Sequence, residues 1–400
     1  MHDSVLIPAK YSPSCYACMR SLGSRGIRTI VASPHESVPA FASRYCNEAI
    51  VVPAPYEELL AYKEALLSIA ERPDVRTVLP VWEEDAYLLS KYRKEFEEHL
   101  TGVWPTFEAL RSVHDRVSLV EAAREVGVPA PETWLLDEVP DWNRELIIKS
   151  RYNLLTSEYV DSLGEDESEL VKTLKHLPPG EKPDTEAIRA EMKHIPIVQE
   201  FVPTSTEYLF GALYDHGEAL ATFQHRQIRG ETYAGGGGSY RESVSVPRLE
   251  EVGRTLLDHL DWHGFACIEY MEDANTGELK LTEINPRTWR SLAFAVRADA
   301  DFPYYYWLMA NDRKNSIEPG YEVGVGGHLL HGELKYLLSV LREDYPNVER
   351  PSLRSALRDI VWSCYTDPRF DYLRLDDPEP FVRGVFNEAP IRIQCSPRGR

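Results

Sequence analysis

Residues 262–290 read WHGFACIEYMEDANTGELKLTEINPRTWR. Two apolar runs, 264–271 and 278–285, flank a turn-forming Asp-Ala-Asn-Thr-Gly segment, and this pattern predicts a β-hairpin. With the turn centred in that segment, Glu269 faces Glu283 across the hairpin. Two facing carboxylates repel each other in an apolar surrounding unless a cation lies between them. Oxygen donors without sulfur or imidazole suit Mg²⁺, so the hairpin predicts a magnesium site.

Side-chain alternation along the second strand places Leu279, Leu281, Glu283 and Asn285 on one face. Asn285 therefore stands beside Glu283 as a further oxygen donor. The alternative interpretation is a solvent-facing hairpin edge on which the charged side chains never meet.

Two arginines follow the hairpin directly. Arg287 and Arg290 place cations beside the predicted anionic cluster, and arginine binds a carboxylate or phosphate through two parallel hydrogen bonds. Metal-binding carboxylates next to such arginines predict a site that transfers a phosphoryl group.

Composition limits the class of protein. The chain has 400 residues, which is room for more than one domain, and its hydrophobic content of 43% is that of a globular protein. No apolar run approaches the ~20 residues that span a bilayer, and MHDSVLIPAK does not read as a signal peptide, so we expect a cytoplasmic protein. The net charge of −20 argues against a general affinity for nucleic acids or anionic membranes.

The charged residues are acidic and poor in lysine, with 12 Lys and 32 Arg against 64 acidic residues. Such a surface stays hydrated at high salt, and the composition favours a halophilic source.

The 6 cysteines are too few and too dispersed for a disulfide framework. Cys15 and Cys18 form a C-x-x-C, which leaves a redox pair or half a zinc site as alternatives. No second C-x-x-C completes a set of four ligands, and the pattern favours buried or half-buried thiols.

Residues 1–112 alternate short apolar strands with helices, beginning with SVLIPA, CYACMRSLGSRG and IRTIVAS. The alternation predicts a parallel sheet with functional loops at the carboxyl ends of its strands. The first loop has no G-x-G-x-x-G, so a dinucleotide site is not expected. Glu83, Glu84 and Asp85 follow a predicted strand, where they could contact the amino group of a substrate. The favoured alternative is that they complement the dipole of a helix N-terminus.

The chain changes character near Ser112. Asp115 is a predicted N-cap for a helix that begins at Arg116. The strand LIIKS carries Lys149 at its end, where a lysine either reaches solvent or meets phosphate. Residues 161–194 are charged and are predicted to form exposed helices joined by a loop.

IPIVQEFVP predicts a further strand, and the next two alternating runs predict a hairpin that turns at His216 and Gly217. Four consecutive glycines, 235–238, predict a mobile loop, which is either a cradle for phosphate or carboxylate or an inert flexible connection. Three arginines lie near it: Arg226, Arg229 and Arg241.

After Arg290 an apolar helix and the aromatic run DFPYYYWLMA are predicted, the latter as core packing. Two amphipathic helices follow, GHLLHGELKYLLSVLRE and SLRSALRDIVWSCY. The tail from Asp367 is rich in proline and is predicted to be a loop that ends in the basic run SPRGR.

The order of these signals resembles the ATP-grasp superfamily, and within it the carbamoyl-phosphate-synthase-like carboxylate–amine ligases. The resemblance rests above all on E-I-N-P-R followed by an aromatic residue and Ser-Leu, with D-F-P further on. It implies an α/β (α+β ATP-grasp) fold with a Rossmann-like N-terminal domain at 1–112, a small central lobe at 113–195, a C-terminal lobe with the Mg–ATP site at 196–316 and a helical extension at 317–400.

The resemblance also implies roles for individual residues. Lys149 resembles the lysine that contacts the ATP phosphates, Arg116 stands where the family has a second lysine, and Arg287 resembles the arginine that steadies the transferred phosphoryl group. The other positions are similar to an adenine-binding linker (Gln199, Glu200, Phe201 and Val202), a ribose-binding glutamate (Glu207) and magnesium ligands (Glu269, Glu283 and Asn285).

The implied activity is an ATP-dependent carboxylate–amine ligase that forms an amide or peptide bond through an acyl phosphate. ATP and Mg²⁺ are the implied cofactors, with Mn²⁺ as an alternative ion. A small-molecule carboxylate and an amine would be the substrates, and dimers are common among relatives of this architecture. Four arginines suggest an acid with a second anionic group: Arg226, Arg229, Arg241 and Arg290.

Two other functions stay open. Bicarbonate-dependent carboxylation or carbamoyl-phosphate synthesis uses the same scaffold, although no biotin-carrier segment or duplicated half is recognisable. A non-catalytic ATP-binding protein is the second, because RYNLLTSEY replaces the family's Gly/Ser-rich loop after the lysine strand. Ser150, Thr156 and Ser157 remain there as hydrogen-bond donors.

Overall fold

The computed structural model describes residues 4–171, 173–345 and 348–388. Within these ranges the chain forms one parallel and two antiparallel β-sheets, with helices between and around them. The predicted α/β class is confirmed.

The first sheet follows the predicted alternation of strands and helices. Its elements are β1 (Ser4–Pro8), α1 (Pro13–Gly23), β2 (Arg28–Ser33), β3 (Glu48–Val51), α2 (Leu59–Ala70), β4 (Val75–Val78), α3 (Glu83–Lys91) and α4 (Arg93–Glu97), with a 3₁₀ turn at Pro39–Ala42. The strands are parallel and lie in the order β3-β2-β1-β4. β1 is buried along its whole length, as expected for an interior strand of a parallel sheet.

The two cysteines of the C-x-x-C lie in α1 and are buried. The Cys15 thiol donates to the backbone carbonyls of Lys10 and Ser12, at 3.4 and 3.0 Å. The prediction of buried thiols is therefore confirmed for Cys15 and Cys18, whereas Cys395 lies outside the described residues.

A small antiparallel sheet comes next. Its region contains α5 (Phe107–His114), α6 (Arg116–Glu125), β5 (Thr133–Leu135), β6 (Leu146–Lys149), β7 (Leu174–Leu177), α7 (Thr185–Met192) and β8 (Ile197–Glu200), and the strand order is β5-β8-β6-β7. The Asp115 carboxylate accepts a hydrogen bond from the Val117 amide at 3.0 Å, which confirms it as the N-cap of α6.

Two predictions for this region are wrong. Residues 161–194 are not all helix and loop, because β7 pairs with β6 and buries Leu177 opposite Leu146. The boundary at 195/196 also falls too early. β8 pairs with β5 and β6, so it closes the small sheet rather than opening the next unit.

The large antiparallel sheet has the strand order β13-β12-β9-β10-β11-β14. The elements of this region are β9 (Thr204–Asp215), β10 (Glu218–Thr232), β11 (Gly235–Ser243), α8 (Pro247–His259), β12 (Gly264–Asp273), β13 (Leu279–Asn285), α9 (Leu292–Arg297), α10 (Phe302–Ala310), β14 (Gly326–His328), α11 (Leu330–Arg342), α12 (Leu353–Thr366) and α13 (Glu379–Glu388), with a 3₁₀ turn at Lys314–Ser316. The predicted hairpin turn at His216 and Gly217 is confirmed, and both residues have positive φ, at 46° and 73°. α10 is buried in the core, as predicted for the aromatic run.

The glycine stretch is not a mobile loop. It begins β11, which pairs with β10 through Gly230 and Gly238. A Cβ at Gly230 would lie 2.4 Å from the carbonyl oxygen of Gly235, so glycine is needed because the two backbones approach closely. The prediction of an inert flexible connection is therefore wrong.

The C-terminal region is integrated with the rest of the fold rather than appended to it. β14 pairs with β11, α11 packs on β10 and β11, and α13 contacts the 3₁₀ turn at Pro39–Ala42. The prediction of a loop-like tail is wrong over α13, and the final run SPRGR lies outside the described residues. None of the described helices has the length and apolar character that crossing a membrane requires.

Candidate functional site

The hairpin of β12 and β13 carries the predicted metal ligands. Its register places Glu269 directly opposite Glu283, as predicted. Beyond this pair the register shifts, so that Tyr270 faces Leu281 and Thr282 is left over as a β-bulge. The facing carboxylates thus sit where the ladder is locally irregular.

The bulge shows that one prediction is wrong: the two leucines and the two polar residues of β13 do not share one face. Leu279 and Leu281 pack in the core, whereas Glu283 and Asn285 face a cavity. One extra residue reverses the side-chain alternation, so the apolar and the polar residues of the strand point to opposite sides of the sheet.

A cavity of about 400 Å³ lies against this polar face. The glycine-rich start of β11 forms part of its wall, and Gln227 donates a hydrogen bond to the Glu207 carboxylate at its rim, at 2.6 Å. We call this space the hairpin cavity. Its polar side chains come from five strands or their ends: Glu207, His225, Gln227, Arg241, Glu269, Thr282, Glu283, Asn285, Arg287, Arg290 and Ser291.

The two facing carboxylates have opposite electrostatic surroundings. The Glu269 side chain is exposed toward the open hairpin cavity, but desolvation by the surrounding protein raises its pKa, and the negative charge of Glu283 raises it further. Burial alone would also raise the pKa of Glu283, but Arg116, together with Lys149 and Asn285, outweighs it and holds that pKa below its ordinary value. Asn285 donates to Glu283 at 3.1 Å and accepts from Arg287 at 3.0 Å. The ionised form of Glu269 is thus disfavoured, and a divalent cation bound by these oxygen atoms would stabilise it. Because the donors are hard oxygens, the set fits Mg²⁺.

Two cations from the small-sheet region approach these carboxylates. Arg116 lies 2.7 Å from Glu283 and donates to the backbone carbonyl of Ser150 at 3.0 Å. Lys149 ends β6, and its side-chain ammonium forms no hydrogen bond or ion pair within the described part of the chain. Burial, reinforced by the positive charge of Arg116, lowers its pKa to about 7. The charges of Glu283 and Glu269 act in the opposite direction without outweighing these two effects, and a polyanionic ligand would supply further negative charge.

The predicted adenine-binding linker connects β8 to β9. Gln199 is buried and donates to the Thr133 hydroxyl at 2.8 Å, and Glu200 forms an ion pair with Lys280 at 2.6 Å. These side chains are engaged within the protein and do not line the hairpin cavity. Residues 199–202 therefore run from the end of β8 toward β9, with the side chains of Gln199 and Glu200 engaged by the protein.

Arg287 joins the hairpin to the parallel sheet. Its Nε lies 2.5 Å from the Glu83 carboxylate at the N-terminus of α3. Burial alone would raise the pKa of Glu83, but the charges of Arg287 and His114 bring it down to about 2. Asp85 accepts the backbone amides of the residues just before the helix, so the favoured reading of a charged helix N-terminus is confirmed for Asp85. Glu83 has the further role of holding Arg287.

A second cavity, of about 470 Å³, lies on the other side of Arg287 and Arg290. Loops at the carboxyl ends of β1, β2 and β4 form one wall, and α11 contributes to the other. We call it the sheet-edge cavity. None of the described residues that line it is acidic, and its polar side chains are Lys10, Tyr11, Ser12, Ser14, His35, Arg287, Thr288, Arg290, His331, Lys335 and Tyr372.

Lys10 is a site residue that the sequence analysis missed. Its ammonium lies 4.4 Å from the ring centroid of Trp82 and has no ion pair among the described residues. Burial, and then the charge of Arg287, lower its pKa to about 8. The signal was present in the sequence, because Lys10 follows the first strand of a predicted parallel sheet, where functional loops occur.

Two of the four predicted substrate arginines line the hairpin cavity. Arg290 also borders the sheet-edge cavity and forms an ion pair with Glu231. Arg241 is almost completely buried and pairs with Asp371 at 2.8 Å. Arg241 is thus neutralised by the protein, whereas Arg290 stands at the junction of both cavities.

The other two arginines lie elsewhere and border neither of these cavities. Arg226 forms a surface ion pair with Glu242 at 2.5 Å. Arg229 points to α11, where its guanidinium donates to both oxygens of the buried Glu333 carboxylate, at 2.7 and 2.8 Å. The four arginines do not form one substrate-binding cluster.

The glycine-poor segment after Lys149 is tied to its surroundings. Arg151 forms an ion pair with Asp115, the cap of α6, at 2.6 Å. Asn153 donates to the backbone carbonyl of Ile284 in β13 at 3.1 Å. Thr156 is buried. These contacts fix the segment for which the resemblance implied a flexible phosphate loop.

Comparison with known proteins gives a match in structure but not in sequence. No profile of a protein family matches the chain, and no curated protein sequence does. The solved structures that resemble it include the biotin carboxylase domain of the Hydrogenobacter thermophilus 2-oxoglutarate carboxylase, with a TM-score of 0.61 and 13% identity over 82% of this chain and 73% of that chain. They also include N5-carboxyaminoimidazole synthetase from Staphylococcus aureus, with a TM-score of 0.58 and 12% identity over 90% of this chain and 97% of that chain.

A third similar structure is pyruvate carboxylase from Rhizobium etli, with a TM-score of 0.56 and 15% identity. The match covers 78% of this chain but only 28% of that much longer enzyme. The neighbours are ATP-grasp enzymes, so the predicted resemblance is confirmed at the level of the fold.

Proposed function

We propose that this protein, which has the fold of the ATP-grasp enzymes, is an ATP-dependent carboxylate–amine ligase. ATP would phosphorylate a carboxylate to an acyl phosphate with release of ADP, and an amine would then displace phosphate to form an amide. One observation carries the proposal. The facing carboxylates Glu269 and Glu283 border the hairpin cavity, and Arg287 beside them borders both this cavity and the sheet-edge cavity.

Mg²⁺ would be held by the oxygen atoms of Glu269, Glu283 and Asn285. When bound, the ion supplies positive charge against the phosphate oxygens of ATP. Mn²⁺ accepts the same oxygen donors and is the expected substitute. The raised pKa of Glu269 is consistent with this assignment, because a cation between the two carboxylates would offset both desolvation and the charge of Glu283.

The nucleotide would lie in the hairpin cavity and along the junction of the two antiparallel sheets. Lys149 and Arg116 would contact its phosphates, since both cations approach the carboxylate pair. Glu207 at the rim of the cavity would accept the ribose hydroxyl groups. The backbone of residues 199–202 would bind the adenine ring, and the engaged side chains of this linker are consistent with recognition through the main chain.

The carboxylate substrate would occupy the sheet-edge cavity. A carboxylate is a poor electrophile because its leaving group would be oxide, and phosphorylation replaces that group with phosphate. Arg287, held by Glu83, would neutralise charge on the phosphoryl group as it crosses from one cavity to the other. The cationic lining of the sheet-edge cavity suits an acid with a second anionic group, with Lys10 and Arg290 replacing the arginines first expected to bind it.

A second candidate is phosphorylation of bicarbonate. It is favoured by the similarity to the Hydrogenobacter domain, whose structure contains MgADP, ADP and bicarbonate. The size of the sheet-edge cavity, about 470 Å³, exceeds what bicarbonate alone fills and favours a larger acid. The same structure is of a domain dimer, which supports the proposal that this protein is a homodimer.

The test is ADP release by the purified protein in Mg²⁺ and KCl, with amino acids and small acids offered singly and in pairs. ADP release that requires an acid and an amine together supports the ligase, and release with bicarbonate alone supports the second candidate. If ATP raises the melting temperature but no combination releases ADP, the protein binds ATP without catalysis and the ligase proposal fails.

The metal assignment has its own test. Glu283→Gln should abolish ADP release, while the surface variant Glu242→Gln should retain it. Full activity of Glu283→Gln would remove Glu283 from the magnesium site.

A further inference from the structure

We infer that Asp215, His216 and His263 form a binding site for a transition-metal ion of the Zn²⁺ type, separate from the nucleotide site. The three residues meet at one end of the large sheet. His216 occupies the β9–β10 turn directly after Asp215, and His263 precedes β12. β12 pairs with β9 so that Gly264 faces Tyr214, which brings His263 beside Asp215.

The ligand atoms are close to one another. Nδ1 of His263 lies 3.4 Å from Oδ1 of Asp215, and the rings of His216 and His263 stack with their centroids 4.1 Å apart. One ligand atom from each of the three residues, a ring nitrogen or a carboxylate oxygen, lies within 4.8 Å of the other two. Small side-chain movements are enough to bring such atoms into one coordination shell.

The hydrogen bond on the far side of His263 determines which nitrogen is available. Nε2 lies 3.2 Å from the carbonyl oxygen of Gly102. A carbonyl only accepts, so Nε2 carries the hydrogen. In the neutral ring with its hydrogen on Nε2, Nδ1 has a bare lone pair. A metal-bound histidine is commonly oriented by such a bond from its other nitrogen.

That lone pair has no partner. His263 is 6% exposed, and its Nδ1 receives no hydrogen bond within the described part of the chain. The group that it faces is the Asp215 carboxylate, which is also an acceptor. Two acceptors at 3.4 Å without a proton between them repel each other, and a cation between them would satisfy both.

The remaining contacts leave the site open to an ion. Lys314 contacts Oδ2 of Asp215, so Oδ1 stays available. His216 is exposed, and a change in its side-chain torsions can direct a ring nitrogen toward the ion while the buried His263 stays in place. Two imidazoles with one carboxylate favour Zn²⁺, Co²⁺ or Ni²⁺ over Mg²⁺, and water would complete the coordination shell.

The bound ion would fasten the hairpin turn to the segment that follows α4. His263 already contacts that segment through Gly102, and a Cβ at Gly264 would lie 2.6 Å from the Val103 carbonyl oxygen. The site would therefore stabilise the folded protein rather than take part in catalysis, and the melting temperature should rise with Zn²⁺ concentration.

The experiment uses the full chain without a histidine tag, freed of metal with a chelator and kept without nucleotide. Zn²⁺ is titrated by calorimetry, and Co²⁺ binding is followed by its visible absorption. We expect one Zn²⁺ per chain, and affinity lower by at least about tenfold in His216→Ala and Asp215→Asn. The matched control is His176→Ala, which removes an exposed histidine from the small sheet and should bind like the wild type.

Two further measurements keep the result unambiguous. The melting temperature of metal-free His216→Ala should equal that of the wild type, because the side chain is exposed. Glu269→Gln should still bind Zn²⁺, which separates this site from the proposed magnesium site. Equal Zn²⁺ affinity in the wild type and His216→Ala, or no Zn²⁺ binding by the wild type, would overturn the inference.

Discussion

Nε of Arg287 lies 2.5 Å from Oε1 of Glu83, so a carboxylate of the parallel-sheet domain holds the arginine that borders both cavities. Glu83 is buried and Arg287 is half-buried, so removing either partner would leave the other charge poorly hydrated and unpaired. The geometry of the proposed phosphoryl transfer thus depends on a residue outside the nucleotide site.

Replacing Glu83 with Gln should disturb catalysis more than nucleotide binding. Without the carboxylate, Arg287 loses its fixed position, and a small misplacement of a transition-state group costs about 10- to 100-fold in rate. We expect kcat to fall by this factor while KM for ATP changes little. Initial rates at varied ATP measure both parameters, and an unchanged kcat would show that Asn285 alone positions Arg287.

The pKa of Glu269 predicts how the metal-free protein responds to pH. The pKa of Glu269 in the folded protein is above its ordinary value of 4.5, so the folded state binds this proton more tightly than the unfolded state does. Stability from this group is complete below pH 4.5 and is lost as pH rises through the folded pKa. Metal-free wild type should therefore lose stability relative to Glu269→Gln as pH increases above 4.5.

Mg²⁺ supplies the control for this pH effect. A bound cation stabilises the ionised carboxylate, so saturating Mg²⁺ should reduce the difference between wild type and Glu269→Gln. Chemical unfolding at a series of pH values measures this difference in the free energy of unfolding. A difference that does not vary with pH, with or without Mg²⁺, would contradict the raised pKa.

The pairing of Glu269 with Glu283 was predicted correctly, but the turn alone does not produce it. The register next to the turn pairs Tyr270 with Leu281, and without a bulge it would place Glu269 opposite Thr282. The bulge at Thr282 could not be predicted, since no residue type demands it and one extra residue reverses the strand's faces. The sheet-edge cavity was missed for a different reason. Its cations come from loops and helices far apart in sequence, such as Lys10 and Lys335, and only the packing of the domains brings them together.

The arginines near the glycine stretch also show that contacts between residues distant in sequence could not be predicted. Proximity in sequence suggested one anion-binding cluster, but adjacent strand positions point to different sides, and distant residues supply the partners. Arg229 reaches Glu333 in α11, more than one hundred residues away. Local sequence therefore identified cationic side chains without revealing which of them the protein itself neutralises.

Arg229→Ala should consequently affect stability rather than substrate binding. It leaves Glu333, which is 3% exposed, with His328 as its remaining ion-pair partner within the described residues. We expect a loss of about 3 kcal/mol, the lower end of the range for breaking a buried ion pair. The matched variant Arg226→Ala breaks a surface pair and should cost at most about 1 kcal/mol. Denaturant unfolding compares the two, and a stable Arg229→Ala with a raised KM for the acid would contradict this assignment.

Lys10→Gln tests whether the sheet-edge cavity binds the acid. Lys10 lines this cavity but not the hairpin cavity, and within the described residues its ammonium group forms no ion pair. A charge-assisted hydrogen bond contributes about 1.5–3 kcal/mol, so its loss should raise KM for the acid by about 10- to 100-fold. KM for ATP should stay constant, and the exposed-lysine variant Lys182→Gln should behave like the wild type. A parallel rise in both KM values would place Lys10 at the nucleotide, whereas no change in either would exclude it from both substrates.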